Sequence, residues 1–269
     1  MDRKITLLSV TYLMFVALLL TSGSIGGALS EVVYYLAFLL PLAFALFISR
    51  GDGIPPESYL KIDKNGITVT LFSVFPTVFI VLSISIATSF VMERILGAEN
   101  TVDVGSSFGL AILLHALLPA ILEELLFRYL PMRLLSRYSR IGCIFVSAFF
   151  FSLVHHNLFS IPYAFVAGVI FMAIDLVCDS VIPSLIIHFI NNVISLIFIF
   201  NSDNRLFKPI CISVIALLAI LSLVVLLACR MEYVKRLKSV FVRGEKPAFN
   251  ISMLAFGAVC LFFAIINLM

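Results

Sequence analysis

The chain has 269 residues, 62% of them hydrophobic and 12% charged, with a net charge of +3. Soluble domains run near 25% charged, so this composition excludes one, and the small scattered charge excludes the basic face that nucleic-acid binding needs. What remains is a polytopic membrane protein, because a spanning helix takes about 20 mostly apolar residues and the chain supplies many such runs.

The N-terminal MDRK followed by ITLLSVTYLMFVALLL resembles a signal peptide, and Ala28-Leu29-Ser30 offers small residues for cleavage. The apolar run is long for a signal core and many spans follow, so an uncleaved first helix is expected. Apolar runs predict helices near 4–22, 31–49, 67–92, 107–131, 141–159, 161–178, 181–200, 207–229 and 249–268. The expected fold is all-α, a transmembrane helical bundle of about eight or nine spans, with 1–269 as one integral-membrane domain. Residues 50–66, RGDGIPPESYLKIDKNG, form a turn-rich loop marked by Gly-Asp-Gly, Pro-Pro and Asn-Gly. The five cysteines lie in or beside apolar runs without a C-x-x-C pair, so neither a disulfide framework nor a cysteine metal site is implied.

Lys and Arg in alternate loops set the orientation. Fourteen of the eighteen fall on one side: Arg3 and Lys4, three in 50–64, three in 133–140 and six in 230–246. Arg94, Arg205 and Lys208 fall on the other, and Arg128 lies within a span. The asymmetry places the N-terminus inside a cytoplasmic membrane, and nine helices would place the C-terminus outside; the 176–180 turn, assigned inside, carries no positive charge.

The run from Ser107 to Leu130, SFGLAILLHALLPAILEELLFRYL, carries Glu123, Glu124 and Arg128 at membrane depth. Charge there costs at least ~2.5–3.5 kcal/mol per residue on insertion scales, which makes such a cluster a functional-site hypothesis. Glu124 and Arg128 are i, i+4 neighbours able to pair, whereas Glu123 is turned by about 100° toward different surroundings. In the next run, FFFSLVHHN, Phe151 and His155 share a face, and in SLIIHFINN, His188 and Asn192 do the same. His156 competes with His155, but the residue four before it is Ser152. His115, two turns before Glu123, reads as interfacial or structural, and Asp175 and Asp179 read as an interfacial cap at the 176–180 turn. At ~1.5 Å per residue from the inner ends, Glu123, His155 and His188 lie about 15, 21 and 12 Å deep, compatible with one shared cavity.

Glu123-Glu124-x-x-x-Arg128, then Phe151-x-x-x-His155, then His188-x-x-x-Asn192 resembles the three-motif pattern of the CAAX protease and bacteriocin-processing family, abbreviated CPBP or Abi. These are intramembrane endopeptidases that include the CAAX prenyl protease 2 type. The resemblance covers roughly 107–195, the expected catalytic core. One departure is Tyr129, where the family usually has Gly after the motif arginine. The resemblance implies hydrolysis of a peptide bond in a membrane-associated protein or peptide, lipid-modified or not. It implies Glu123 and His155 as activators of water, His188 and Asn192 as oxyanion donors, and Glu124 and Arg128 as groups that orient the site. Amide hydrolysis needs an activated water and a stabilised oxyanion, and these residue types supply both.

No cofactor is expected. Two histidines and a glutamate make a plausible zinc set, but no H-E-x-x-H helix supplies two ligands, and a metal-free glutamate mechanism is favoured. The alternatives are a non-catalytic scaffold or bacteriocin self-immunity protein on the same fold, and a transporter with a carboxylate proton relay. A degenerate scaffold would lose motif residues that this chain keeps, and a transporter would favour repeated halves with interrupted helices, which the sequence lacks.

Overall fold

A computed structural model describes residues 3–25, 27–51, 56–96, 107–155, 158–228 and 256–260. Among them the regular structure is helical: α1 (Arg3–Ser24), α2 (Ala28–Ile48), α3 (Lys64–Leu96), α4 (Phe108–Leu134), α5 (Arg140–Leu153), α6 (Ser160–Cys178), α7 (Ile182–Phe200) and α8 (Phe207–Ala228). Seven of these, all but α5, are long and apolar enough to cross a membrane. This is an integral-membrane helical bundle. The helix expected at 249–268 lies mostly outside the described residues; 256–260 is helical, and Phe256 packs on Tyr12 and Phe150.

Local chemistry sets the ends. The α1–α2 turn passes through Gly27 at φ 72°, a conformation that side chains with a Cβ rarely adopt. Asp63 starts α3 by accepting the Gly66 N–H at 2.6 Å. α3 has 33 residues, well beyond the 67–92 expected, because its ends carry Lys64, Glu93 and Arg94 out past the apolar stretch. A short 3₁₀ turn, Pro56–Tyr59, lies under the bundle, and the Tyr59 carbonyl accepts the Val181 N–H at 3.0 Å.

The span expected at 141–159 is the main correction. α5 stops at Leu153 after 14 residues, about 21 Å, short of a ~30 Å hydrocarbon core. Its last turn tightens as the His155 N–H bonds the Ser152 carbonyl, and the chain leaves the helix axis with His155 on the turn. α5 also packs unusually close to α6: a Cβ placed on Gly168 would lie 2.8 Å from the Ala148 Cα. Small residues at such a crossing let backbones approach, the usual basis of helix association in lipid.

α4 is not a uniform α-helix. It widens into π-helical turns at Ile112–Leu117 and Leu125–Tyr129. A proline follows each closely, Pro119 and Pro131. Proline lacks an N–H and its ring clashes with the carbonyl four residues back; a wider turn relieves the clash. Accordingly the Leu118 N–H bonds the Leu113 carbonyl and the Leu130 N–H bonds the Leu125 carbonyl, five residues back. In the second turn the Leu126 carbonyl would next look to residue 131, which is proline. Tyr12 of α1 fills the role, its hydroxyl donating to Leu126 O at 3.1 Å, and the Ser147 hydroxyl of α5 donates to Phe127 O. Backbone groups inside a bilayer must be satisfied within the protein, and here two other helices do it. Tyr12 then stacks on Phe127 and Phe150, which locks α1, α4 and α5 together behind the acidic cluster.

Candidate active site

The two adjacent glutamates separate as their helical displacement requires. Glu124 is fully buried and pairs with Arg128, Oε2 to Nε at 3.2 Å, with Arg128 itself at 0% exposure. The expected i, i+4 pair therefore forms even though a π-turn intervenes. Glu124 has a second partner that helical spacing could not reveal: its Oε1 accepts from His188 Nδ1 at 2.7 Å, across from α4 to α7. With Nδ1–H donated to Glu124, the other ring nitrogen, Nε2, faces Glu123 Oε2 at 3.8 Å. Glu123 is 17% exposed and His188 8%, so the charge grades from a sealed interior to an accessible edge.

Aromatic faces enclose the cation. The Arg128 guanidinium lies 4.0 Å over the Phe151 ring and 5.4 Å from that of Phe171. A desolvated contact of this kind contributes ~2 kcal/mol. Phe151, whose part in the second motif was only to share a face with His155, thus supports the arginine of the first. It also meets both histidines edge-on, at 5.0 Å from His155 and 6.0 Å from His188. Its carbonyl accepts His155 Nδ1–H at 2.9 Å, which sets that ring's orientation and turns Nε2 away from the helix.

The reading of Asp175 and Asp179 as an interfacial pair needs correction. Asp179 is exposed, sits at φ 48°, and pairs with Arg140 at 3.1 Å. Asp175 is fully buried, and its Oδ1 accepts the Ser184 N–H at 2.9 Å. It caps α7 from α6, one turn before His188. The turn between the two helices is tight enough to aim a carboxylate at the next helix's free N–H groups, where negative charge is favoured.

Glu123, His155, His188 and Asn192 all line one cavity of about 950 Å³. His115 lines it as well and is exposed. So do Tyr34, Tyr163 and Asn191, which no motif identified. Of these only Asn191 carried a hint, as a second amide beside Asn192 in an otherwise apolar helix, where polar residues are costly. His156 lies outside the described residues. Among the described residues no three His, Cys, Asp or Glu side chains are arranged to hold a metal ion. Glu124 is engaged by Arg128 and His188, while His155 and His188 each direct Nδ1 to an oxygen acceptor and so keep Nε2 for the cavity side.

No curated protein matches this chain, and no solved structure does. A family model does match, over residues 105–194, about a third of the chain. That stretch holds all three motifs, the Arg128–Glu124–His188 network and Asp175. Over those residues the chain is similar to the family described as type II CAAX prenyl endopeptidase Rce1-like.

Proposed function

We propose that the protein is an intramembrane endopeptidase that hydrolyses a peptide bond in a membrane-associated protein or peptide without an obligatory metal. The observation that carries this reading is the convergence of Glu123, His155, His188 and Asn192 on one cavity, with only Glu123 of the two glutamates reaching it. Glu123 takes a proton from a water that His155 Nε2 holds in place. The water oxygen bonds the scissile carbonyl carbon, and the carbonyl oxygen becomes an oxyanion held by the Asn192 amide and His188 Nε2–H. Donation from Nε2 while Nδ1–H serves Glu124 requires the imidazolium, which Glu123 and Glu124 flank. The C–N bond then breaks, and the proton on Glu123 passes to the leaving amine. Oxyanion donors fixed before reaction are worth about 10²–10³ in rate each, because they need no reorganisation. Glu124 and Arg128 act through His188: they fix its ring orientation and position. The membrane orientation that fits is an N-terminus in the cytoplasm, from the basic loops.

The test is purified protein in detergent or liposomes, incubated with peptide libraries in prenylated and unmodified form. Glu123→Gln keeps size and hydrogen bonding but removes the base, so turnover falls by about 10² or more while the fold survives. Undiminished cleavage by Glu123→Gln refutes the assignment. Full inactivation by a chelator, reversed by zinc, refutes the metal-free mechanism while keeping the protease.

A further inference from the structure

Among the described residues the cavity lining extends toward one end of the bundle. Its wall includes Ser22, Ser30 and Glu31 at the α1–α2 turn, Ser85 in the later half of α3, Leu110 at the start of α4 and Ile199 at the end of α7. Helix direction puts all six toward the same face of the bundle, the face where Phe108 and Phe200 stack. Glu123 is 17% exposed and Leu110 on this rim 47%, with Ser30, Ser85 and Ile199 half-buried and Ser22 buried. In the opposite direction lie Glu124, Arg128, Asp175 and Ser184, all at 0% exposure and outside the cavity lining. Beyond them the bundle is tied shut by the Tyr59–Val181 hydrogen bond and by Arg140, which donates to Leu176 O at 2.6 Å and to Asp179 at 3.1 Å.

The closed face is also the basic one. Arg50, Lys61, Lys64, Arg133, Arg137 and Arg140 lie at helix ends or connections there, with Arg3 and Lys4 at the start of α1. Short basic loops stay in the cytoplasm. We infer that the active-site cavity opens to the extracytoplasmic face, so that its substrate is a polypeptide segment presented on that side of the membrane. This rests on the endopeptidase reading for the word substrate, and on geometry and charge for the direction. It sets the chain apart from any protease that takes lipid-modified C-termini from the cytoplasm.

Two cysteine variants of the full chain test it in sealed cells, with a charged, membrane-impermeant maleimide and the parent chain as baseline. Ser30→Cys sits on the cavity mouth, and Ser136→Cys lies exposed in the connection between α4 and α5. Ser30→Cys is expected to label to the same extent before and after permeabilisation, and Ser136→Cys only after it. Leu110→Cys, also on the mouth, gives the same reading if Ser30→Cys fails to accumulate. Labelling of Ser136→Cys in sealed cells, or of the mouth variants only after permeabilisation, overturns the inference. Labelling does not depend on turnover. The expected pattern in a protein that cleaves no peptide therefore refutes the endopeptidase reading and upholds the direction of opening.

Discussion

Arg128→Ala isolates the electrostatics of the cluster. In the native protein Arg128 and Glu124 are both sealed from solvent, and Arg128 is the guanidinium paired with that carboxylate. Removing it leaves Glu124 buried without its guanidinium, held by His188 and Ser184, and breaking a buried pair from one side costs about 3–5 kcal/mol. The lost stacking on Phe151, ~2 kcal/mol, belongs partly to the same event and is not simply added. The expected outcome is a fall in thermal midpoint on the order of 10 °C in detergent, at ~2–4 °C per kcal/mol for a chain of this size. Glu124→Gln in the same chain removes the orphaned charge, so the double variant should be more stable than Arg128→Ala alone, a positive coupling in the double-mutant cycle. Additive losses would refute the pairing argument. Unchanged stability with abolished cleavage would instead make Arg128 a group that touches the reacting atoms.

Two further perturbations probe how the bundle holds this site. Tyr12→Phe removes the hydroxyl that serves the Leu126 carbonyl and should cost about 1–3 kcal/mol of stability, read as a lower midpoint, since a buried acceptor loses its partner; no change would mean that another donor serves that carbonyl. Gly168→Ala forces apart helices that approach to within a Cβ of contact, at a cost of about 1–3 kcal/mol, and an unchanged midpoint would contradict the close crossing with Ala148.

Hydropathy alone located the bundle, because burial in lipid needs long apolar runs whatever their tertiary partners. The acidic cluster was legible for the same reason in reverse: Glu123, Glu124 and Arg128 contradict their surroundings. Three features were not legible. The stop of α5 falls inside the continuous run AFFFSLV, where nothing in composition separates Leu153 from Val154. The burial of Asp175 depends on the Ser184 N–H nine residues on, in the first turn of α7, while a carboxylate beside a turn ordinarily reads as solvated. The cavity-facing positions of Tyr34 and Tyr163 depend on which side of each helix meets the others, and spans that are apolar all round do not encode that in their period. The π-turns stand between these cases. Leu118-Pro119 and Leu130-Pro131 announce a disturbed helix, but the tyrosine that repairs the second lies 114 residues away from the carbonyl it serves.

On the proposed mechanism, the arrangement answers a conflict between chemistry and solvent. A general base must meet water, but the charges that orient a site act most strongly where water is absent. α4 meets both needs with adjacent residues. The step of about 100° between Glu123 and Glu124 sends one carboxylate to the cavity and the other into the sealed interior. Glu124 is then fixed by Arg128, and Arg128 by the face of Phe151, whose carbonyl also holds His155. His188 joins the two levels, with one ring nitrogen on the buried carboxylate and the other toward the exposed one. The three motifs are therefore one connected unit: the arginine of the first rests on the phenylalanine of the second, and the buried glutamate of the first orients the histidine ring of the third.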